Sequence, residues 1–119
     1  MVRAVMEGIG LALYSVAVTI ENFQEEITCV YVSGGATHAP VWMQMLADIF
    51  NKDMCMMASE DASALGAIML GMRAHNRALP EEHALPVLTF SPNIHHHEQY
   101  RELFEQFKLL YDKVAALMT

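Results

Sequence analysis

The stretch ITCVYVSGGATHAPVWMQMLADIF, Ile27 to Phe50, decides the fold, because it sets a β-branched run, a glycine pair and a helical pattern end to end. Ile27 to Ser33 reads as a strand buried on both faces, since it is apolar with little alternation. Pro40 to Asn51 reads as a helix with Pro40 in its first turn, where a missing N–H costs nothing. Val41, Met45, Leu46, Ile49 and Phe50 form its apolar face. Gly34 and Gly35 between them fit either of two readings: a plain turn, or a place where backbone approaches a ligand with no Cβ in the way.

Working outward, Val2 to about Asn22 carries Ala4, Val5, Ile9, Ala12, Leu13, Val16 and Ile20 near a 3.6-residue spacing, which predicts a long, largely buried helix. Gly8 and Gly10 inside it predict close packing against another element. On the other side, Met54 to Met57 predicts a second short strand. Ser59 is then the expected N-cap of a third helix, Asp61 to about Asn76, with Glu60 and Asp61 complementing its dipole. The small residues of that helix, Gly66 among them, predict tight packing on a sheet. Pro80, Pro86 and Pro92 mark residues 80–93 as a linker loop. Residues 94–119 then form an amphipathic helix of roughly 20 residues whose stripe, Tyr100, Leu103, Phe104, Phe107, Leu110, Tyr111, Val114, Leu117 and Met118, must lie on something apolar. The result is an α/β chain in the order helix, strand, helix, strand, helix, helix, with parallel strands and crossover helices. Two parallel strands alone make a poor sheet, so further strands are expected from a partner chain or a larger fold. Isolated, the chain is expected to self-associate.

Composition narrows the functions. With 119 residues, 54% of them hydrophobic, the chain is one domain or less. A formal net charge of -7 without a basic patch disfavours nucleic acid and membrane surfaces. The apolar run Ile9–Ile20 is too short to span a bilayer, and Glu7 interrupts a signal-peptide pattern. Cys29 and Cys55 lie in no metal spacing and read as separate buried thiols of a cytoplasmic protein. His95, His96 and His97 are consecutive and cannot converge on a metal as i, i+4 ligands do; a solvated helix start capped by Ser91 or Asn93 is expected instead. Gln44 and Asp48 share a helix face and read as a surface or interdomain hydrogen-bonding pair, with Trp42 packed elsewhere.

The motifs VSGGA, WMQMLAD and EDASALGA, preceded by RAVMEGIGLALYSV, together resemble the C-terminal half of the FGGY carbohydrate kinases, with the gluconokinase-like branch nearest in pattern and the xylulokinase-like branch next. The resemblance implies the actin-like ATPase (ribonuclease H-like) fold, with residues 1–79 as part of the nucleotide-side domain and the last helix packed on it. It implies that Gly34, Gly35 and Ala36 form the adenosine-side loop, so that the glycine pair admits the nucleotide. His38 and Ala39 stand where relatives carry Arg and Ser, which removes a side-chain hydrogen bond from the serine position and leaves His38 as a candidate contact. ATP with Mg2+ is the implied cofactor, ATP/ADP and a sugar or sugar acid the implied partners. The phosphate-loop hairpin and the catalytic carboxylate belong by resemblance to the missing N-terminal half. Asp53, Asp61 and Asp112 fit no such pattern, so no catalytic or metal residue is expected here, and the 119 residues alone should be inactive. The alternative is a catalytically inactive remnant or interaction module with the same fold.

Overall fold

A computed structural model describes residues 1–23, 26–57, 61–78 and 86–119. Four α-helices and three strands follow in the order α1 (Val2–Glu21), β1 (Cys29–Val32), α2 (Pro40–Phe50), β2 (Asp53–Met57), α3 (Ala62–Ala74), β3 (Pro86–Phe90) and α4 (Ile94–Met118), with a short 3₁₀ turn, Gly35–His38, ahead of α2.

The strands form one sheet in the order β1-β2-β3. β1 and β2 are parallel, Val30 beside Met54, as a crossover through α2 requires. β3 is antiparallel to β2, Phe90 beside Met54, and it lies inside the stretch read from the sequence as linker. Its prolines hid it: Pro86 opens the strand and Pro92 follows it, and both positions tolerate the lost donor of an edge strand. One face of the sheet, Val30, Val32, Met54, Met56 and Phe90, packs on the core. The other is open, with Tyr31 63% exposed, so β1 is covered on one face rather than both. Cys29 and Cys55 also differ from the expectation of separate thiols: the structure pairs them across β1 and β2, with Cα atoms 6.9 Å apart.

The core centres on α2. Met43, Met45, Leu46, Ala47, Asp48, Ile49 and Phe50 are all buried, enclosed by the sheet, α1 and α4. α1 approaches closely at Gly10, where a Cβ would stand 2.7 Å from Ile49 Cδ1; Gly8 has no such neighbour within 4 Å, so only one of the two glycines packs as expected. Tyr14 bridges α1 to α2 and α4, with ring centroids 5.4 Å from Phe50 and 4.8 Å from Phe104. α2 ends on Asn51 in the left-handed conformation (φ 52°), whose N–H donates to Ala47 O. Next to it Lys52 bridges Glu21 at 3.0 Å and Glu26 at 3.7 Å, tying the end of α1 to the approach to β1.

Three helices depart from their expected packing. α1, read as largely buried, buries only Gly10 and Leu11 and leaves Val5, Ile9, Leu13, Val16 and Ile20 exposed, because α2 and α4 cover only part of its circumference. α3 buries none of its residues, and a Cβ on Gly66 would meet nothing within 4 Å, so it does not lie on this sheet. Its N-cap is Asp61, which accepts from Ala64 N at 3.1 Å; the expected cap, Ser59, lies outside the described residues with Glu60. α4 has 25 residues, within the expected 94–119, and buries only Tyr100 and Phe104 of its stripe, leaving Leu110, Tyr111 and Leu117 exposed. The radius of gyration, 17.0 Å, exceeds the roughly 13.5 Å of a compact domain of this length.

Candidate functional site

The glycine pair sits where β1 ends. Gly34 adopts φ +85°, ψ -159°, a conformation open to glycine and strained for any other residue. The chain then tightens into the 3₁₀ turn, held by Thr37 N and Thr37 Oγ1, which both donate to Gly34 O at 3.1 and 2.6 Å. Ala39 N donates to Ala36 O at 3.2 Å and passes the chain to Pro40 at the start of α2. A Cβ added at Gly34 or Gly35 would meet no protein atom within 4 Å. Gly34 is therefore required by its backbone angle, whereas nothing in this chain's own packing requires Gly35. Gly35 and His38 are exposed, Ala36 and Thr37 half-buried.

Parallel pairing places the loop after β1 and the end of β2 at the same end of the sheet. In α/β sheets this carboxyl end of the strands is where ligands bind. Gly34, Gly35, Ala36 and His38 thus form one surface, open to solvent on its outer side. Cavities of about 340 and 300 Å³ lie elsewhere, along the α1–α4 contact, and neither is lined by the loop. For a metal, no group of three or more His, Cys, Asp or Glu occurs among the described residues.

The polar residues that sequence reading treated singly are brought together in another place. Asp48, 3% exposed, accepts at Oδ1 from Gln44 Nε2 at 2.9 Å and from Asn93 N at 2.8 Å, while its Oδ2 meets His96 Nδ1 at 2.9 Å. His97 Nδ1 lies 3.0 Å from Asp48 O, and Gln44 Nε2 also donates to Ser91 O at 2.9 Å. The Gln44–Asp48 pair is therefore tied to the start of α4 within this chain, and His96 and His97 bond to Asp48 at a helix start whose His95 and His96 are exposed. Asn93 caps α4 as expected, its Oδ1 accepting from His95 N at 3.0 Å. Nothing in the sequence signalled this cluster beyond the i, i+4 spacing of Gln44 and Asp48, because its other members lie more than 40 residues away.

Beside it, Tyr100 Oη donates to Glu7 Oε1 at 3.0 Å, and Arg3 Nε donates to the same oxygen at 3.0 Å. Burial chiefly raises the Tyr100 pKa above its usual value, partly offset by the hydrogen bond from Arg3. The Arg3 pKa is raised as well, first by its hydrogen bond to Glu7. These contacts join α1 to α4; none has a free acid or base aimed at the glycine loop.

The mixed sheet with a glycine turn at its carboxyl end superposes on solved FGGY kinases, which makes this a C-terminal half-domain of the actin-like ATPase fold. Residues 1–75 match the profile of the FGGY family of carbohydrate kinases, C-terminal domain, and the chain belongs to that family. It is 32% identical to a xylulose kinase of Bacillus subtilis over 98% of this chain and 24% of the relative. It is 36% identical to a gluconokinase of the same organism over 62% of this chain and 15% of the relative. Among solved structures, a ligand-bound xylulose kinase from Lactobacillus acidophilus superposes with a TM-score of 0.83 at 24% identity over 96% of this chain and 24% of that one. The chain thus spans about a quarter of the first of these relatives.

Proposed function

We propose that this chain is the nucleotide-side portion of an ATP-dependent kinase that transfers the ATP γ-phosphoryl group to a hydroxyl of a sugar or sugar acid. The observation that carries the reading is the Gly34–Gly35 loop: it lies at the carboxyl end of a parallel strand, and no protein atom stands within 4 Å of a Cβ at either glycine. Gly34, Gly35 and Ala36 would face the adenosine and phosphates, with His38 at the rim in the arginine position and Ala39 where relatives carry the serine. Residues 1–79 form the nucleotide-side domain in this reading, and α4 is packed on it. ATP supplies the phosphoryl group, and Mg2+ neutralises the charge on its phosphates. The metal ligands, the carboxylate that orients the hydroxyl and the sugar pocket come from outside these 119 residues, so the chain alone is inactive. A gluconate-like acceptor is favoured by the RAVMEGIGLALYS pattern of α1, and the similarity to xylulose kinases makes a ketopentose the second candidate. The protein works in the cytoplasm, without nucleic acid or membrane.

The test is a titration of the chain with a fluorescent ATP analogue, comparing wild type with Gly35→Val. The variant keeps its fold, because that Cβ enters open space, and is expected to lose binding at least tenfold. Equal binding by both would overturn the reading and favour an inactive remnant that kept only the fold. ATP-dependent phosphorylation of gluconate or xylulose by the chain alone would overturn the assignment of the catalytic groups to the missing portion.

A further inference from the structure

The two glycines that open the loop after β1 have more backbone freedom than any other pair of residues would, because neither carries a Cβ. Such a turn keeps one shape only if something outside the glycines fixes it. One side chain of the loop does so. Thr37 Oγ1 donates to Gly34 O at 2.6 Å and Thr37 N donates to the same oxygen at 3.1 Å, so residue 37 grips the Gly34 carbonyl twice. The backbone bond belongs to any 3₁₀ turn, whereas the hydroxyl bond is what a threonine at this position adds. Neither Ala36 nor Ala39 carries a polar atom that could replace it. Thr37 itself rests on a firm base: Ala39 N donates to Ala36 O, Met43 N donates to Ala39 O, and Met43 is fully buried in the core.

We propose that Thr37 is a positioning residue for the nucleotide, its hydroxyl holding the Gly34 carbonyl turned towards residue 37 and thereby keeping the Gly35 N–H turned the other way. The peptide between the two glycines is trans, and in a trans peptide the carbonyl and the following N–H point in opposite directions. Gly35 is exposed, so its N–H is presented on the outer side of the loop, at the carboxyl end of β1 where the ATP would lie. Fixing that direction before the ligand arrives removes an ordering cost from binding. The inference rests on the nucleotide reading and adds to it a half-buried side chain that acts through the Gly34 carbonyl.

The experiment takes two readouts from the 119-residue chain, with circular dichroism as the check on folding: hydrogen exchange of the residue-37 amide by NMR without nucleotide, and titration with a fluorescent ATP analogue. Thr37→Val removes the hydroxyl, keeps the branched shape and lies outside the core, so the fold is kept. Thr37→Ser keeps the hydroxyl. Loss of one hydrogen bond predicts that Thr37→Val speeds the exchange and weakens binding about three- to tenfold, whereas Thr37→Ser stays within about twofold of wild type. Unchanged exchange in Thr37→Val overturns the proposal, because the hydroxyl would then not hold the turn. Thr37→Val that binds like wild type while Gly35→Val loses binding also overturns it, and leaves the nucleotide reading standing. Thr37→Ser as weak as Thr37→Val overturns it too, since the methyl group and not the hydroxyl would be responsible. A wild-type chain that does not bind the analogue overturns the nucleotide reading itself, and the role of Thr37 with it.

Discussion

Replacing Asp48 by alanine tests whether one carboxylate holds the last helix to the rest of the chain. The substitution removes an acceptor from three donors: Gln44 Nε2, Asn93 N and His96 Nδ1. They are not equally harmed. Gln44 still donates to Ser91 O, and the His96 side chain, half-exposed, regains water. Asn93 N loses its charged acceptor, and a hydrogen bond to a charged group contributes about 1.5–3 kcal/mol. Adding about 1 kcal/mol for the weakened remainder, and a small void, gives a loss of about 3 kcal/mol. A chain of this size has roughly 6–18 kcal/mol of stability in all, so the change should be plain. Asp48→Asn keeps one acceptor but turns an amide N–H₂ group towards Asn93 or His96, and should cost about 1–2 kcal/mol. The assay is urea unfolding followed by circular dichroism at a fixed chain concentration, requiring an unchanged slope so that the midpoint shift reports stability. A loss below ~1 kcal/mol for Asp48→Ala would refute the reasoning, because it would mean that the buried carboxylate's desolvation offsets all three bonds.

Other expectations follow from single contacts. Gly10→Ala drives a Cβ to 2.7 Å from Ile49 Cδ1, so the end of that side chain must shift and alanine's helix-propensity gain of about 1 kcal/mol is offset, while Gly8→Ala, with nothing within 4 Å, should stabilise by about 0.5–1 kcal/mol. Equal shifts for the two in thermal melts would count against the packing described for α1. The Tyr100 pKa is raised in the folded chain, so the fold favours the neutral phenol: stability is full below the unfolded value of about 10 and falls as pH rises through the folded one. Tyr100→Phe should flatten that alkaline loss, and an unaltered pH profile would contradict it. Truncating Leu117 and Met118, both above 80% exposed, should change stability by less than ~0.5 kcal/mol; a larger loss would show that the end of α4 is covered.

What was legible in the sequence was local. The β-branched run before Gly34, Pro40 at a helix start and the helical spacing of α1 and α4 act within a few residues, and α1, β1, α2, β2 and α4 formed where those signals fell. β3 was not legible because a five-residue strand between prolines carries the composition of a loop, and its pairing with β2 more than 30 residues away supplies what its own sequence lacks. Gly66 misled for a related reason: small residues state that a helix can approach something closely, not that the neighbour is in the same chain. The glycine loop was readable because Gly34's positive φ is a local demand. The Asp48 cluster was not, since Asn93, His96 and His97 reach α2 only after α4 has docked. The Cys29–Cys55 pairing likewise depends on strand register, which spacing along the chain does not encode.

The Asp48 cluster bears on the order in which the chain can mature as it is made. Every partner of Asp48 other than Gln44 lies 45 to 49 residues downstream. At synthesis rates of about 5–20 residues per second, the carboxylate waits roughly 2–10 seconds for them, longer by the time they need to leave the ribosome. During that interval α2 can form its helix and its Gln44 bond, but it cannot bury Asp48 without isolating a charge. The core around α2 therefore stays open at one end until the start of α4 has been made, and a chain terminated before it is left with this helix unsealed. Arrested chains ending before Ser91 should accordingly be cleaved within α2 by added protease, and those extending through α4 should resist.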